Sequence, residues 1–278
     1  MRHVHLVGSV PLRNAREVFT TVSGVLGQRL RRIPDGETGE RSDWITWLEP
    51  AFADNPALEK SDELFRVHAT GTARVRYKLR AGKTVDDVQF DNLFYADIAK
   101  ASYAEFAALK TQGVILKHVR FQIDLVPAHS VIWLFLQDDL HQLLDPIYNE
   151  ALKREIDKIA AILPHDQIAI QFDVASAVFA RLQRGEPNAY GKTRADMHSL
   201  AALLPERRQR GELPGCNEAR LLVEFAFCAG KQIAGLDVAL RNRPGAVILV
   251  APIGSARVSE KQLKTRLAAV GKYAGADL

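Results

Sequence analysis

The sequence predicts an α/β fold built on a largely parallel sheet, and two observations carry that reading. Short apolar-rich segments alternate along the chain with long stretches whose apolar residues recur at helical spacing. Three of the short segments also place polar residues at every second position, the signature of strands with one apolar and one polar face.

In chain order, His3 to Ser9 is the first strand, and Asn14 to Arg29 the first helix, with Val18, Val22, Val25 and Leu26 on one stripe. Leu30 to Ile33 is a second strand, stopped by Pro34-Asp35-Gly36. Arg66 to Leu79 alternates in part (Val67, Ala69, Val75, Tyr77, Leu79) and suits a hairpin inserted near 66–79. Asn92 to Gln112 is a helix with Phe94, Ile98, Ala101, Phe106 and Leu109 as its apolar stripe, and Gly113 ends it. Leu116 to Leu125 is a third strand. Asp138 to Ile162 is a long helix that Pro146 should break or kink. Gln167 to Asp173 and Ala246 to Ala251 are further strands, and Ser259 to Gln262 is a capping box opening a last helix to about Tyr273. Residues 205–220 show no periodicity. The chain reads as one domain over residues 1–278, with a sheet irregular or incomplete in its C-terminal part.

Composition narrows the function. The chain has 278 residues, 47% apolar and 25% charged, which is ordinary for a globular protein. At this length roughly three quarters of the unfolded surface is buried without disulfide staples. Two cysteines, Cys216 and Cys228, cannot form a disulfide framework or an all-cysteine metal site. A net charge of +4 is too thin to mark a nucleic-acid surface, and the densest basic group, Arg207, Arg208 and Arg210, is flanked by Glu206 and Glu212. No run of about 18 apolar residues suggests a membrane helix, and the first apolar stretch breaks at Gly8 and Pro11. A cytoplasmic protein acting on a small molecule, with neither nucleic acid nor membrane as partner, is expected.

The strand faces say where that molecule binds. His3, His5, Val7 and Ser9 share one face; so do Arg120, Gln122 and Asp124, and so do Gln167, Ala169, Gln171 and Asp173. In a helix-wrapped barrel the apolar ladders face the helices, so the polar ladders point inward. Ser9, Asp124 and Asp173 then end at the carboxyl mouth, where such barrels build active sites. An antiparallel sheet with one wet face would alternate likewise, but the intervening helices disfavour it. The loop Ile33 to Ile45 adds Asp35, Gly36, Glu37, Gly39, Glu40, Arg41 and Asp43. Carboxylates beside glycines can hold an ammonium group, although Asp-Gly-Glu is also a common turn and the later residues also suit a helix cap. Asp124 and Asp173 could alternatively act as an acid/base pair, as in glycosidases. Trp44 and Trp47 suit packing better than a pocket wall, and His3 and His5 suit interior hydrogen bonding better than metal ligation.

Gly8-Ser9, the Asp35-Gly36-Glu37…Glu40-Arg41-Ser42-Asp43 loop and the strand end Ile170-Gln171-Phe172-Asp173 together resemble the catalytic barrel of cobalamin-independent methionine synthase and its shorter relatives. That superfamily also includes uroporphyrinogen decarboxylase. The likeness runs over about residues 1–195. It implies a (β/α)8 TIM-like barrel that binds homocysteine or a related thiol, and a methyltransferase that uses zinc and a methyl-tetrahydrofolate. It implies that Ser9 binds the ligand carboxylate and that Glu37 and Asp173 hold its ammonium, with Asp35, Arg41, Asp43, Asp124 and Gln171 shaping the mouth. The zinc ligands do not carry over: no histidine stands two residues before a cysteine, and neither Cys216 nor Cys228 sits in the family's context. Two readings follow, a thiol methyltransferase by kinship, or a non-catalytic or repurposed barrel that binds a small amino-acid-like ligand without zinc.

Overall fold

The computed structural model describes residues 3–43, 45–66, 73–174, 178, 185–186, 188–191, 222–227 and 246–249, the last two stretches as backbone strands. The elements are β1 (His3–Leu6), α1 (Ala15–Leu26), β2 (Arg32–Pro34), α2 (Pro50–Ala53), β3 (Leu58–Phe65), β4 (Arg74–Leu79), α3 (Tyr95–Thr111), β5 (Arg120–Leu125), α4 (Ala128–Phe135), α5 (His141–Ile162), β6 (Ile168–Val174), β7 (Leu222–Phe227) and β8 (Ala246–Leu249). The expected capping box at Ser259, the aperiodic stretch 205–220, Trp44 and both cysteines lie outside the described residues.

A parallel sheet runs β2-β5-β6-β7, β1 pairs in parallel with β8, and β3 and β4 form an antiparallel hairpin. A single parallel bridge, Val4 to Leu30, links β1 to the β2 edge. The fold is mixed α/β as expected, but the described strands form separate sheets and do not close into a barrel.

The apolar ladders face the helices. Phe121 of β5 meets Phe19 of α1 at 6.0 Å and Phe106 of α3 at 5.6 Å between ring centroids. A second aromatic group joins Phe52 of α2 to Phe135 of α4 at 4.6 Å and to Phe90 at 5.2 Å. On the other face of the sheet, Gln122 and Gln171 are buried and reach the β1 carbonyls.

Several expectations need correction. The hairpin is not confined to 66–79: its first strand is the charge-rich Leu58–Phe65, whose polar residues sit on an exposed edge and hide the strand pattern. The stripe assigned to α3 is displaced. Phe94 caps the helix in a left-handed conformation (φ 64°) while Ala101 is exposed; the buried face is Tyr95, Ala96, Ala99, Ser102, Phe106 and Leu109. Small residues let that face approach closely, so side-chain size misleads a reading based on large apolar residues. Pro146 does not break α5, because in the second turn it removes only one intrahelical bond. Helix α4, buried on every side, has no amphipathic period to announce it. The polar ladders hold only towards the carboxyl ends: at the amino end Gln167 instead accepts a bond from Lys110 Nζ at 2.6 Å.

Candidate functional site

The site is assembled where the carboxyl ends of β1, β2, β5 and β6 meet. Beyond β2 the chain turns through Gly36 at φ 85° and Glu37 at φ 48°, two successive left-handed residues. Gly36 is required there: a Cβ would lie 2.7 Å from Val18 Cγ2, and its carbonyl accepts a 2.9 Å bond from the Val10 amide. The turn folds Glu37 back over the end of β1.

Three carboxylates converge on Gly8. A methyl group placed on its Cα would lie 3.3 Å from Asp124 Oδ2, 3.4 Å from Asp173 Oδ2 and 3.5 Å from Glu37 Oε2. The Ser9 hydroxyl donates a short bond to Glu37 Oε2. Gln122 Nε2 donates to Asp124 Oδ1 at 2.9 Å, and Gln171 Nε2 donates to Asp173 Oδ1 at 2.8 Å. Burial raises the pKa of all three acids, most strongly for Asp124 and Asp173. Mutual repulsion adds to the effect: Asp173, Glu37 and Asp35 act on Asp124, Glu37 acts on Asp173, and Asp35 acts on Glu37. Opposing this, Gln122 and Gln171 lower the pKa of their own aspartates, while Ser9 and Arg41 lower that of Glu37. Tyr95 of α3, buried beneath the cluster, has its phenol pushed upward by burial and by Glu37 and Asp173.

Of the expected site residues, Ser9, Glu37, Asp124, Gln171 and Asp173 are brought together. Asp35 and Arg41 are adjacent but committed to each other. Asp35 is a brace: its Oδ2 accepts from Arg41 and, at 2.7 Å, from Ser102 Oγ, and its Oδ1 accepts from the Glu37 amide at 3.0 Å. Asp43 is exposed and pairs with Arg74 of the hairpin at 2.9 Å, away from the cluster. Ser9 spends its hydroxyl on Glu37. Trp47 packs edge-on against Tyr95 at 5.1 Å, and His5 Nδ1 accepts from Arg32 at 3.2 Å. Tyr95, Ser102 and the clamping role of Gln122 have no signal in the sequence, since each depends on a partner far along the chain. The left-handed Glu37 was foreshadowed only by the preceding glycine.

An open hollow of about 420 Å³, lined by Glu40, Thr46, Trp47, Glu49, Pro50, Ala53 and Asp54, contains none of the converging carboxylates. Among the described residues no group of three His, Cys, Asp or Glu side chains has the arrangement to hold a metal ion; Cys216 and Cys228 lie outside those residues. No described helix is long and apolar enough to cross a membrane. Compared with protein-family models, with curated proteins and with solved structures, the chain matches none of them.

Proposed function

We propose that this chain binds a small amino-acid-like ligand through its ammonium group, in a pocket of the methionine-synthase kind at the carboxyl ends of the strands. The observation that carries the reading is the convergence of Asp124, Asp173 and Glu37 on Gly8. Three buried carboxylates at one point cannot all ionise unless a cation joins them. Arg41, the cation that acts on Glu37, is bound to Asp35. An ammonium group supplies the missing charge.

The reading includes a barrel. Strands β2, β5, β6 and β7 follow one another in chain order and in parallel, β8 returns to pair with β1, and two glutamines reach from β5 and β6 to β1 carbonyls. Side chains that cross between non-adjacent strands are what a barrel interior contains. By kinship the ligand is homocysteine or a related thiol, and the kin reaction is methyl transfer in the cytoplasm. Because no histidine stands two residues before either cysteine, the family's zinc ligands do not carry over, and binding without zinc is the reading we adopt. Calorimetric titration with L-homocysteine and L-methionine tests it. Glu37→Gln and Asp173→Asn should each weaken binding about ten- to hundredfold, the worth of one charge-assisted bond. If the parent protein binds neither compound, the reading fails.

A further inference from the structure

The unit Gln-x-Asp occurs twice, on neighbouring parallel strands, and makes the same bonds both times. Gln122 Nε2 donates to the Leu6 carbonyl at 2.9 Å and to Asp124 Oδ1 at 2.9 Å. Gln171 Nε2 donates to the Val7 carbonyl and to Asp173 Oδ1 at 2.8 Å. The strand register sets Asp124 opposite Gln171, so the second unit is stepped along the sheet from the first. Each amide therefore ties β1 to its own aspartate and holds that aspartate by Oδ1. The other oxygen, Oδ2, is the one that meets its counterpart at Gly8. A terminal carboxylate torsion is otherwise broad, so an unheld aspartate would not keep one oxygen aimed at a fixed point.

The amides also leave an imbalance. Gln122 Oε1 and Gln171 Oε1 are buried and accept from no donor among the described residues, and both side chains are only 1% exposed. The Ser9 hydroxyl donates to Glu37, and Arg41 Nη2 and Ser102 Oγ donate to Asp35. None of these donors reaches Gln122 Oε1 or Gln171 Oε1, so two buried amide oxygens beside the acids are left for a ligand's N–H groups to meet. A group that carries charge but no N–H would neutralise the carboxylates and still leave buried acceptors unsatisfied, each costly.

We propose that Gln122 and Gln171 are positioning residues that aim Asp124 and Asp173 at one point, and that the resulting site, with its unmet buried acceptors, selects a primary ammonium over a fully methylated one. The selectivity half rests on the amino-acid reading above; the positioning half does not. The test uses the full chain in two arms. Calorimetry compares L-methionine with its N,N,N-trimethyl analogue, which should bind at least about tenfold more weakly for each donated bond it lacks. Carbon NMR follows the side-chain carboxyls of Asp124 and Asp173 in the empty protein. In Gln122→Met the Asp124 midpoint should rise by about one pH unit, with Asp173 moving less, and in Gln171→Met the pattern should reverse. A merely structural glutamine would not move its own aspartate selectively. If the methionine variants do not fold, Gln122→Asn and Gln171→Asn keep the amide but withdraw it from the aspartate and should give the same shifts. Equal affinity for the two ligands overturns the selectivity. Unmoved midpoints in folded variants overturn the positioning. Failure of the parent to bind methionine removes the amino-acid reading and the selectivity with it, while the NMR arm still decides the positioning.

Discussion

Glu37 sits at φ 48°, a backbone region that costs a non-glycine residue of order 1–2 kcal/mol. It is held there by Asp35, which takes the Glu37 amide on one oxygen and Arg41 and Ser102 on the other. Strain maintained by a buried brace is characteristic of a residue placed for a purpose. Gly8 is the complementary case, since its value lies in what it lacks. In Gly8→Ala the new methyl would lie 3.3–3.5 Å from three carboxylate oxygens, a fit that asks only a few tenths of an ångström of movement. Gly8 is not among the residues with positive φ, so alanine suits its backbone. The variant should therefore fold with a thermal midpoint close to the parent's, yet bind L-methionine at least about tenfold more weakly, because an apolar group occupies the point where the charges meet. Calorimetry beside a melting curve checks both halves.

At the scale of elements, the hairpin is attached through Arg76. This guanidinium is 2% exposed, lies 4.4 Å over the Phe65 ring and bonds Asp138 at 2.8 Å, while Asp138 itself is 62% exposed. The asymmetry predicts an inverted pair of mutants. Asp138→Ala removes the exposed partner and leaves a buried cation unpaired, which should cost about 2–3 kcal/mol; Arg76→Met removes the buried charge and should cost less, about 1 kcal/mol. Urea unfolding of the two variants decides the order. Elements also show what the sequence could reveal. The inward pairs Gln122–Asp124 and Gln171–Asp173 were legible because a strand turns its side chains over at every residue, and that rule needs no knowledge of neighbours. The α3 face was legible only in part: Phe106 and Leu109 are buried as expected, but Phe94 stands at the N-cap position and the other packed positions are Tyr95, two alanines and a serine. Helix α4 was invisible for the opposite reason: with all eight residues buried, its apolar residues have no polar face to contrast with. Of the site, the acids could be named from the sequence, whereas the brace from Ser102 and the strain at Glu37 required the fold.

For the whole molecule, the cluster contributes a slope of stability against pH opposite in sign to that of the buried histidines. Asp124 and Asp173 have folded pKa values raised well above the ordinary 3.8, so between 3.8 and the raised value the folded state holds protons that the unfolded chain has released. Stability from these groups is complete below pH 3.8 and declines as pH rises through the folded values, opposite to the usual paired carboxylate. Burial acts the other way on His129, its pKa lowered to about 4, and on His141; both favour folding as pH rises through the histidine range, so the acids' contribution is read as the difference between the parent and Asp124→Asn. Asp124→Asn should flatten that decline and melt higher than the parent at pH 8, while binding ligand less well. An asparagine variant whose melting temperature changes with pH in step with the parent's would contradict this.

The ties from β1 to the two glutamines bear on how the protein is made. Leu6 waits for a partner 116 residues later, and Val7 for one 164 residues later. At translation speeds of roughly 5–20 residues per second, the second tie becomes possible only about 8–30 seconds after the first strand has been polymerised. Until Gln122 is made the strand that opens the pocket lacks both anchors, and until Gln171 is made it lacks the second. The binding site therefore cannot be assembled until more than half of the chain has been made. A nascent polypeptide halted before Gln171 would hold every residue of the Asp35 brace, including Arg41 and Ser102, yet have no pocket.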